Sequence, residues 1–407
     1  MLGRLADRLR NASPALAAAA AALVLPLYAL KVARRSDYTD FLVYHRTAAR
    51  LLDADWVKLY NLELDGNSPY RYAPPTLPAL LPFGFFSEPT ARMIWFFLQF
   101  GCFLAGFLLL LRTLRETGVP LARARIAVGV AFLYSLRFLI DSFSIGQVTG
   151  LMFLGLVLGL RAWLAGRPAR AGAWLSPGAL LKVGPGLLYG PPWFGGSPPA
   201  RGSRLRLLGG ALAVPTALTL MLQLWIWARG GSVATTLSLF SDWWHLLLAD
   251  SSFFDASHYG SQSVKSALLR MEKQGLLVQG LASWIHRGAV LAGVGALVLL
   301  WRRKPEDARA RLLFFAAGVM GYLLLMPFTF KYSLPLLGIS LAAWLARPLD
   351  RTATRVFLAC APLLPLAGLD LVGERLFFAI QHASLPALAL LALSAAIYRD
   401  AWRATRP

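Results

Sequence analysis

Apolar runs recur along the whole chain, many of them near the 18 or more residues that carry a helix across a bilayer. The candidate spans or half-spans are 14–33, 73–87, 92–112, 126–140, 147–164, 171–192, 205–228, 281–301, 311–327, 332–346, 354–371 and 382–398. A soluble protein carries roughly 25% charged residues; this chain carries 15%, with 57% hydrophobic residues. A water-bounded fold cannot hide that much apolar surface, because its outside must be wetted. Lipid removes the problem. The expected fold class is therefore an all-α polytopic membrane protein, a single integral membrane domain over 1–407. Two polar stretches interrupt it and are expected as outer loops, 34–71 and 230–280.

The net charge of +21 does not indicate nucleic-acid binding, because Lys and Arg sit in short clusters between the apolar runs. The clusters run from Arg4 to Arg10, Arg112 to Arg125, Arg161 to Arg170, Arg201 to Arg206, Arg302 to Arg311, Arg347 to Arg355 and Arg399 to Arg406. That is the pattern by which cytoplasmic loops orient a membrane protein. If all twelve segments cross, two clusters fall outside. If 73–87 and 171–192 are re-entrant or interfacial, every cluster falls inside and about ten helices cross. Pro74, Pro75, Pro78 and Pro82 break the first of these segments, and Pro177, Gly184, Pro185 and Gly186 break the second. Broken backbone at membrane depth belongs where protein or a water-filled cavity surrounds it. Both arrangements put the two termini inside, in a multi-pass protein of the plasma (inner) membrane. The run to Leu30 reads as a first span, with a signal peptide as the alternative. Cys102 and Cys360 lie in apolar runs and indicate neither a disulfide framework nor a zinc site.

No soluble-enzyme motif is present, so the informative residues are polar groups where lipid is expected. Asp40 follows the first span and opens an amphipathic segment, 41–52, that suits the membrane interface. Its carboxylate is a general-base candidate or a helix N-cap. Lys182 lies mid-run among helix breakers, and either meets an anionic partner such as a lipid phosphate or snorkels to the interface. Gln147, at the Gly146-Gln147 turn, is a candidate for hydrogen bonding to a sugar. Lys331 and Tyr332, after Pro327, either bind phosphate or anchor a helix end. His245 and His258 read first as solvated loop residues. Six of the chain's 20 acidic residues fall in the first loop, which could hold a divalent metal, although the spacing does not demand one.

In order along the chain, Asp40-Phe41, Tyr72-Ala73-Pro74-Pro75, Gly146-Gln147, Lys182 before Pro185, Ser261-Gln262-Ser263 and Pro327 followed by Tyr332 resemble one family. It is the polyprenyl-phosphate-mannose-dependent α-mannosyltransferase family of the GT-C superfamily, which includes phosphatidylinositol-mannoside mannosyltransferases. The resemblance covers about residues 14–345. It implies a GT-C-like bundle of about 10–12 transmembrane or re-entrant helices, with interfacial helices in the first outer loop. It implies a polyprenyl-phosphate-linked sugar donor presented at the outer face, a lipid or glycan acceptor, and inversion at the anomeric carbon. Asp40 takes the general-base role; Lys182, Lys331 and Arg71 are the donor-phosphate candidates; Tyr72, Gln147, Gln262, His258 and Tyr332 are the substrate-binding candidates. Two positions depart from the pattern. Ser261 stands where Asn is frequent, and Lys331 where His is frequent.

Two other classes share some of these features. A secondary transporter also breaks helices and buries charge at midplane, but the chain has no internal repeat. A flippase or ligase for lipid-linked glycans would share a basic cavity for lipid phosphate.

Overall fold

The computed structural model describes residues 27–32, 34, 39–65, 69–182, 184–195, 201–253, 261–305, 307–327, 329–360, 363–364 and 369–406. Almost everything described is helical; the exception is a two-residue antiparallel ladder, Lys304–Pro305 with Thr405–Arg406. Six helices are long and apolar enough to cross a membrane: Glu88–Glu116, Leu121–Ile145, Gly202–Ala228, Leu281–Arg302, Ala308–Leu325 and Leu385–Arg403. The chain is a multi-pass membrane protein.

The other six expected segments are short, broken or outside the described residues. Thr149–Leu164 has 16 residues. The 73–87 run splits into a 3-10 helix, Pro74–Leu80, and a single turn, Leu81–Gly84, because its prolines remove backbone donors. The 332–346 run divides into Lys331–Leu336 and Leu337–Leu345, and 354–371 begins as the ten-residue Arg351–Cys360. Most of 14–33 lies outside the described residues.

The 171–192 segment is a re-entrant hairpin. Helix Pro168–Leu181 rises to Lys182, where the backbone turns extended (φ −149°, ψ 124°). A 3-10 stretch, Gly184–Tyr189, and a short helix, Gly190–Phe194, run back down. Gly184 abuts Tyr322 and Met326 at the top, and Gly190 abuts Trp301 at the bottom. The rising limb crosses helix Arg201–Ala228 at Gly172 and Gly210, where any side chain would collide with the backbone of Leu207 or of Ala169. Small residues allow such backbone approach, the main source of helix association where lipid removes the hydrophobic drive.

These reversals sort the molecule into two ends. Helices 88–116 and 121–145 are antiparallel, and the indole of Trp95 donates to the Gly146 carbonyl across their upper end (2.8 Å). At the lower end Arg161 pairs with Glu116 (3.0 Å), and Arg309 donates to the Thr117 carbonyl (3.3 Å). Trp344 donates to the carboxylate of Asp400 (2.9 Å), and Arg399 and Arg403 share Asp350 (3.0 and 3.1 Å). The clusters expected at 112–125, 161–170, 302–311, 347–355 and 399–406 thus meet at one end, as the arrangement with two re-entrant segments requires.

Residues 230–280, expected as a loop, are largely helical. Val233–Phe253 and Val264–Lys273 are helices. Asp242 and His245 lower the hydropathy of the first, while Leu239, Trp243, Leu246 and Leu247 keep helical spacing along one face.

Candidate active site

At the end opposite the basic clusters, a cavity of about 530 Å³ is lined by Asp40, Arg71, Tyr72, Gln147, Lys182 and Tyr332, with Trp243 and Leu247 among its other walls. Each polar residue reaches it from a different local structure. Asp40 sits in the first turn of helix Thr39–Leu52. That helix buries Phe41, Tyr44, Ala48 and Leu51, one face at helical spacing. Gln147 follows Gly146, whose left-handed backbone (φ 76°) ends helix 121–145 and turns the chain back. The side-chain amide of Gln147 donates to the Asp40 carboxylate. Lys182 occupies the tip of the re-entrant hairpin. Its ammonium donates to the Ser333 hydroxyl (3.3 Å) and lies 4.9 Å from the centre of the Tyr332 ring. Tyr332 stacks on Phe330 (5.1 Å, 15° between planes), and its carbonyl accepts from the Thr149 hydroxyl (2.9 Å).

Arg71 is held from the backbone side, because Trp243 donates its indole N–H to the Arg71 carbonyl (3.0 Å). Tyr72 is held at both ends. Its hydroxyl meets that of Tyr44 (2.9 Å), and its carbonyl accepts from the Tyr60 hydroxyl (2.9 Å). Trp243 and Leu247 are among the cavity residues that the sequence reading missed, with Tyr44 and Phe330. For the first two the signal was the helical spacing within 233–253, hidden by that segment's polar residues.

The cavity's charges perturb one another. Burial removes water from the Asp40 carboxylate and raises its pKa to about 6; the charges of Lys182 and Arg71 pull the other way and lose. Burial also lowers the Lys182 ammonium to about 8, against the pull of Asp40. A carboxylate near 6 is ionised at neutral pH yet basic enough to accept a proton from a hydroxyl that is losing it. The two cations beside it form a place for a phosphate. The arrangement can bind an anion and deprotonate a neighbouring nucleophile.

Two expected site residues are not in this cavity. Lys331 points the other way from Tyr332, with its ammonium 4.2 Å from the centre of the Phe377 ring. Consecutive side chains at the start of a tight turn diverge, so only one of the pair can face the cavity. Gln262 is fully buried, with its side chain on Gln381 and its backbone N–H on the Thr329 carbonyl (2.6 Å). It ties the 261–263 segment to the strand-like stretch that delivers Phe330 and Tyr332. His258 lies outside the described residues. His245 is exposed on helix 233–253.

The acidic first loop is partly committed to ion pairs. Asp65 holds Arg46 (2.8 Å) and Arg50 (2.6 Å), and Asp55 holds Lys58 (2.6 Å). Among the described residues, no three His, Cys, Asp or Glu side chains gather as a metal site.

A second cavity of about 360 Å³ adjoins the first and shares Tyr44, Tyr72, Leu180 and Leu181 with it. Its other walls are almost wholly apolar, among them Leu80, Phe83, Trp95, Leu151, Leu158 and Trp174.

The sequence profile of glycosyltransferase family 87 matches residues 70–327, well over half of the chain. The chain belongs to glycosyltransferase family 87. It is therefore a glycosyltransferase of the GT-C type, built as a helical membrane protein. No curated protein and no solved structure matches it. Within the matched span lie Arg71, Tyr72, Gln147, Lys182 and Trp243; Asp40 precedes it and Tyr332 follows it. The glycosyltransferase assignment removes the transporter reading, because the family's chemistry is group transfer.

Proposed function

We propose that this glycosyltransferase moves a sugar, mannose in our reading, from a polyprenyl-phosphate donor to a hydroxyl of a lipid or glycan acceptor. The observation that carries the reading is the pairing of the two cavities. A polar one holds a desolvated carboxylate beside two cations, and an almost wholly apolar one shares four residues with it. A lipid-linked donor has that same division, with a phosphate at the junction of a sugar and a hydrocarbon chain. The chain would lie against Leu80, Trp95, Leu151 and Trp174, while the phosphate meets Lys182 and Arg71.

In this mechanism the acceptor oxygen attacks the anomeric carbon in line from the face opposite the phosphate. The new carbon–oxygen bond forms as the bond to the phosphate oxygen breaks, so the configuration inverts. The acceptor proton passes to Asp40. The electron pair leaves on polyprenyl phosphate, whose growing negative charge Lys182 and Arg71 stabilise. The leaving group is already a weak base, so no strong acid is required. Gln147 holds one carboxylate oxygen of Asp40 and leaves the other for the acceptor. Tyr72, Tyr332 and Trp243 form the wall against which the sugar would rest.

In this reading the site faces the outer side of the plasma membrane and the termini face the cytoplasm; the gathering of basic clusters at the opposite end supports it. The test is incubation of the purified protein with polyprenyl-phosphate-mannose and a crude lipid acceptor pool, with mass spectrometry of the products. A sugar-shifted lipid is expected. If no polyprenyl-phosphate sugar yields one, the donor assignment fails.

A further inference from the structure

A third cavity, of about 320 Å³, lies at the basic end and has no part in the proposed reaction. Three arginines from separate elements line it. Arg309 opens helix Ala308–Leu325, Arg347 follows helix Leu337–Leu345, and Arg403 ends helix Leu385–Arg403. Asp307 is the one acidic residue in its lining, and its side chain already accepts the Ala310 backbone N–H (2.8 Å), capping the helix. Arg309 donates to the carbonyls of Thr117 and Gly118, and Arg347 to that of Asp400 (3.4 Å). Carbonyls satisfy N–H groups and orient them, but leave the positive charge in place. Arg403 shares the exposed Asp350 with Arg399. The floor is different in kind. Ala310, Leu312, Leu313, Ala343 and Ala346 are buried apolar residues.

We infer that this cavity binds the phosphate of an anionic ligand, with the headgroup of a membrane phospholipid as the source that its apolar floor favours. Arginine forks match phosphate oxygens in a way that a diffuse basic surface does not. The cavity lies where membrane-spanning helices end, at the level of headgroups. Basic pockets between helices on the cytoplasmic side are a known form of headgroup recognition. The ligand would bridge three chain segments far apart in sequence, which makes it a clamp on the end of the bundle away from the chemistry.

The test uses the full-length protein reconstituted in vesicles of phosphatidylcholine, with and without phosphatidylglycerol, reading thermal-unfolding midpoint and phospholipid retained through purification. Each arginine removed is expected to lower retention of the anionic lipid about fivefold, on the order of one surface charge. Arg347→Gln tests the inner position. Arg403→Gln changes an exposed side chain, so it folds even if the first variant does not. Arg123→Gln, an exposed arginine that is not part of the cavity's lining, is the control for generic charge. Inorganic phosphate is the second probe. If it raises the midpoint of wild type but not of Arg403→Gln, the ligand is a free phosphate at the same site. The inference is overturned if wild type shows no preference for either probe, or if Arg123→Gln costs as much retention as the cavity variants.

Discussion

The two ends of the molecule use the same kinds of side chain to opposite effect. At the basic end several arginine–carboxylate pairs stand in the open; Arg112 is 71% exposed in its pair with Glu116. Water and salt screen such pairs, which contribute roughly 0–1 kcal/mol each. At the other end one carboxylate and two cations share a cavity from which burial has removed most of the water. There the pKa of Asp40 rises to about 6, although two positive charges oppose the rise. Charge density does not separate the ends, since the basic end has more of it. Desolvation makes one set of charges chemically active and leaves the other to orient and solubilise.

Substitutions that probe this contrast should fall in a definite order. Asp40→Asn keeps the shape and removes the base, and turnover should drop about 10²- to 10⁴-fold with donor binding retained. Lys182→Gln should cost roughly 10²- to 10³-fold in kcat, the scale of one charge-stabilising donor lost, read by steady-state kinetics with a polyprenyl-phosphate donor. Gln147→Ala removes one hydrogen bond to the carboxylate and should cost about tenfold or somewhat more. It should also move the acid limb of the pH profile upward, because the lost bond favoured ionised Asp40; a merely structural role would leave that limb unmoved. Smallest of all, Arg112→Ala at the basic end should change stability by no more than about 0.5 kcal/mol, measured as a thermal-unfolding shift in detergent. An effect there as large as at Lys182 would erase the distinction between the ends.

Much of this arrangement was legible in the sequence, for reasons that differ by element. The prolines and glycines of 171–192 marked a break, and one of the two arrangements open to the sequence, the one with every basic cluster on one side, has both ends of the segment together; the hairpin with Lys182 at its tip fits that arrangement. Gly146 could only end a helix by reversing it, which carried Gln147 towards Asp40. The ordered motifs named Asp40, Tyr72, Gln147, Lys182 and Tyr332 before any geometry, and the cavity unites them. Other features were not legible. Whether Lys331 or its neighbour Tyr332 faces inward depends on one turn of backbone. Helix 233–253 reads as a loop by hydropathy because Asp242 and His245 sit among its apolar residues, so Trp243 was lost with it. Gln262 looked like a ligand for substrate, yet its partners are Gln381 and Thr329. A buried amide that braces a loop and one that binds sugar have the same sequence appearance.

The most direct test of the central claim, that a desolvated carboxylate at Asp40 is the base, is the pH dependence of kcat/KM for transfer. Asp40 must be ionised to accept the proton, so activity should rise with pH through about 6, and it should fall again as Lys182 loses its charge near 8. An acid limb near the ordinary carboxylate value of about 4, or a limb near 6 that persists unchanged in Asp40→Asn, would contradict the account.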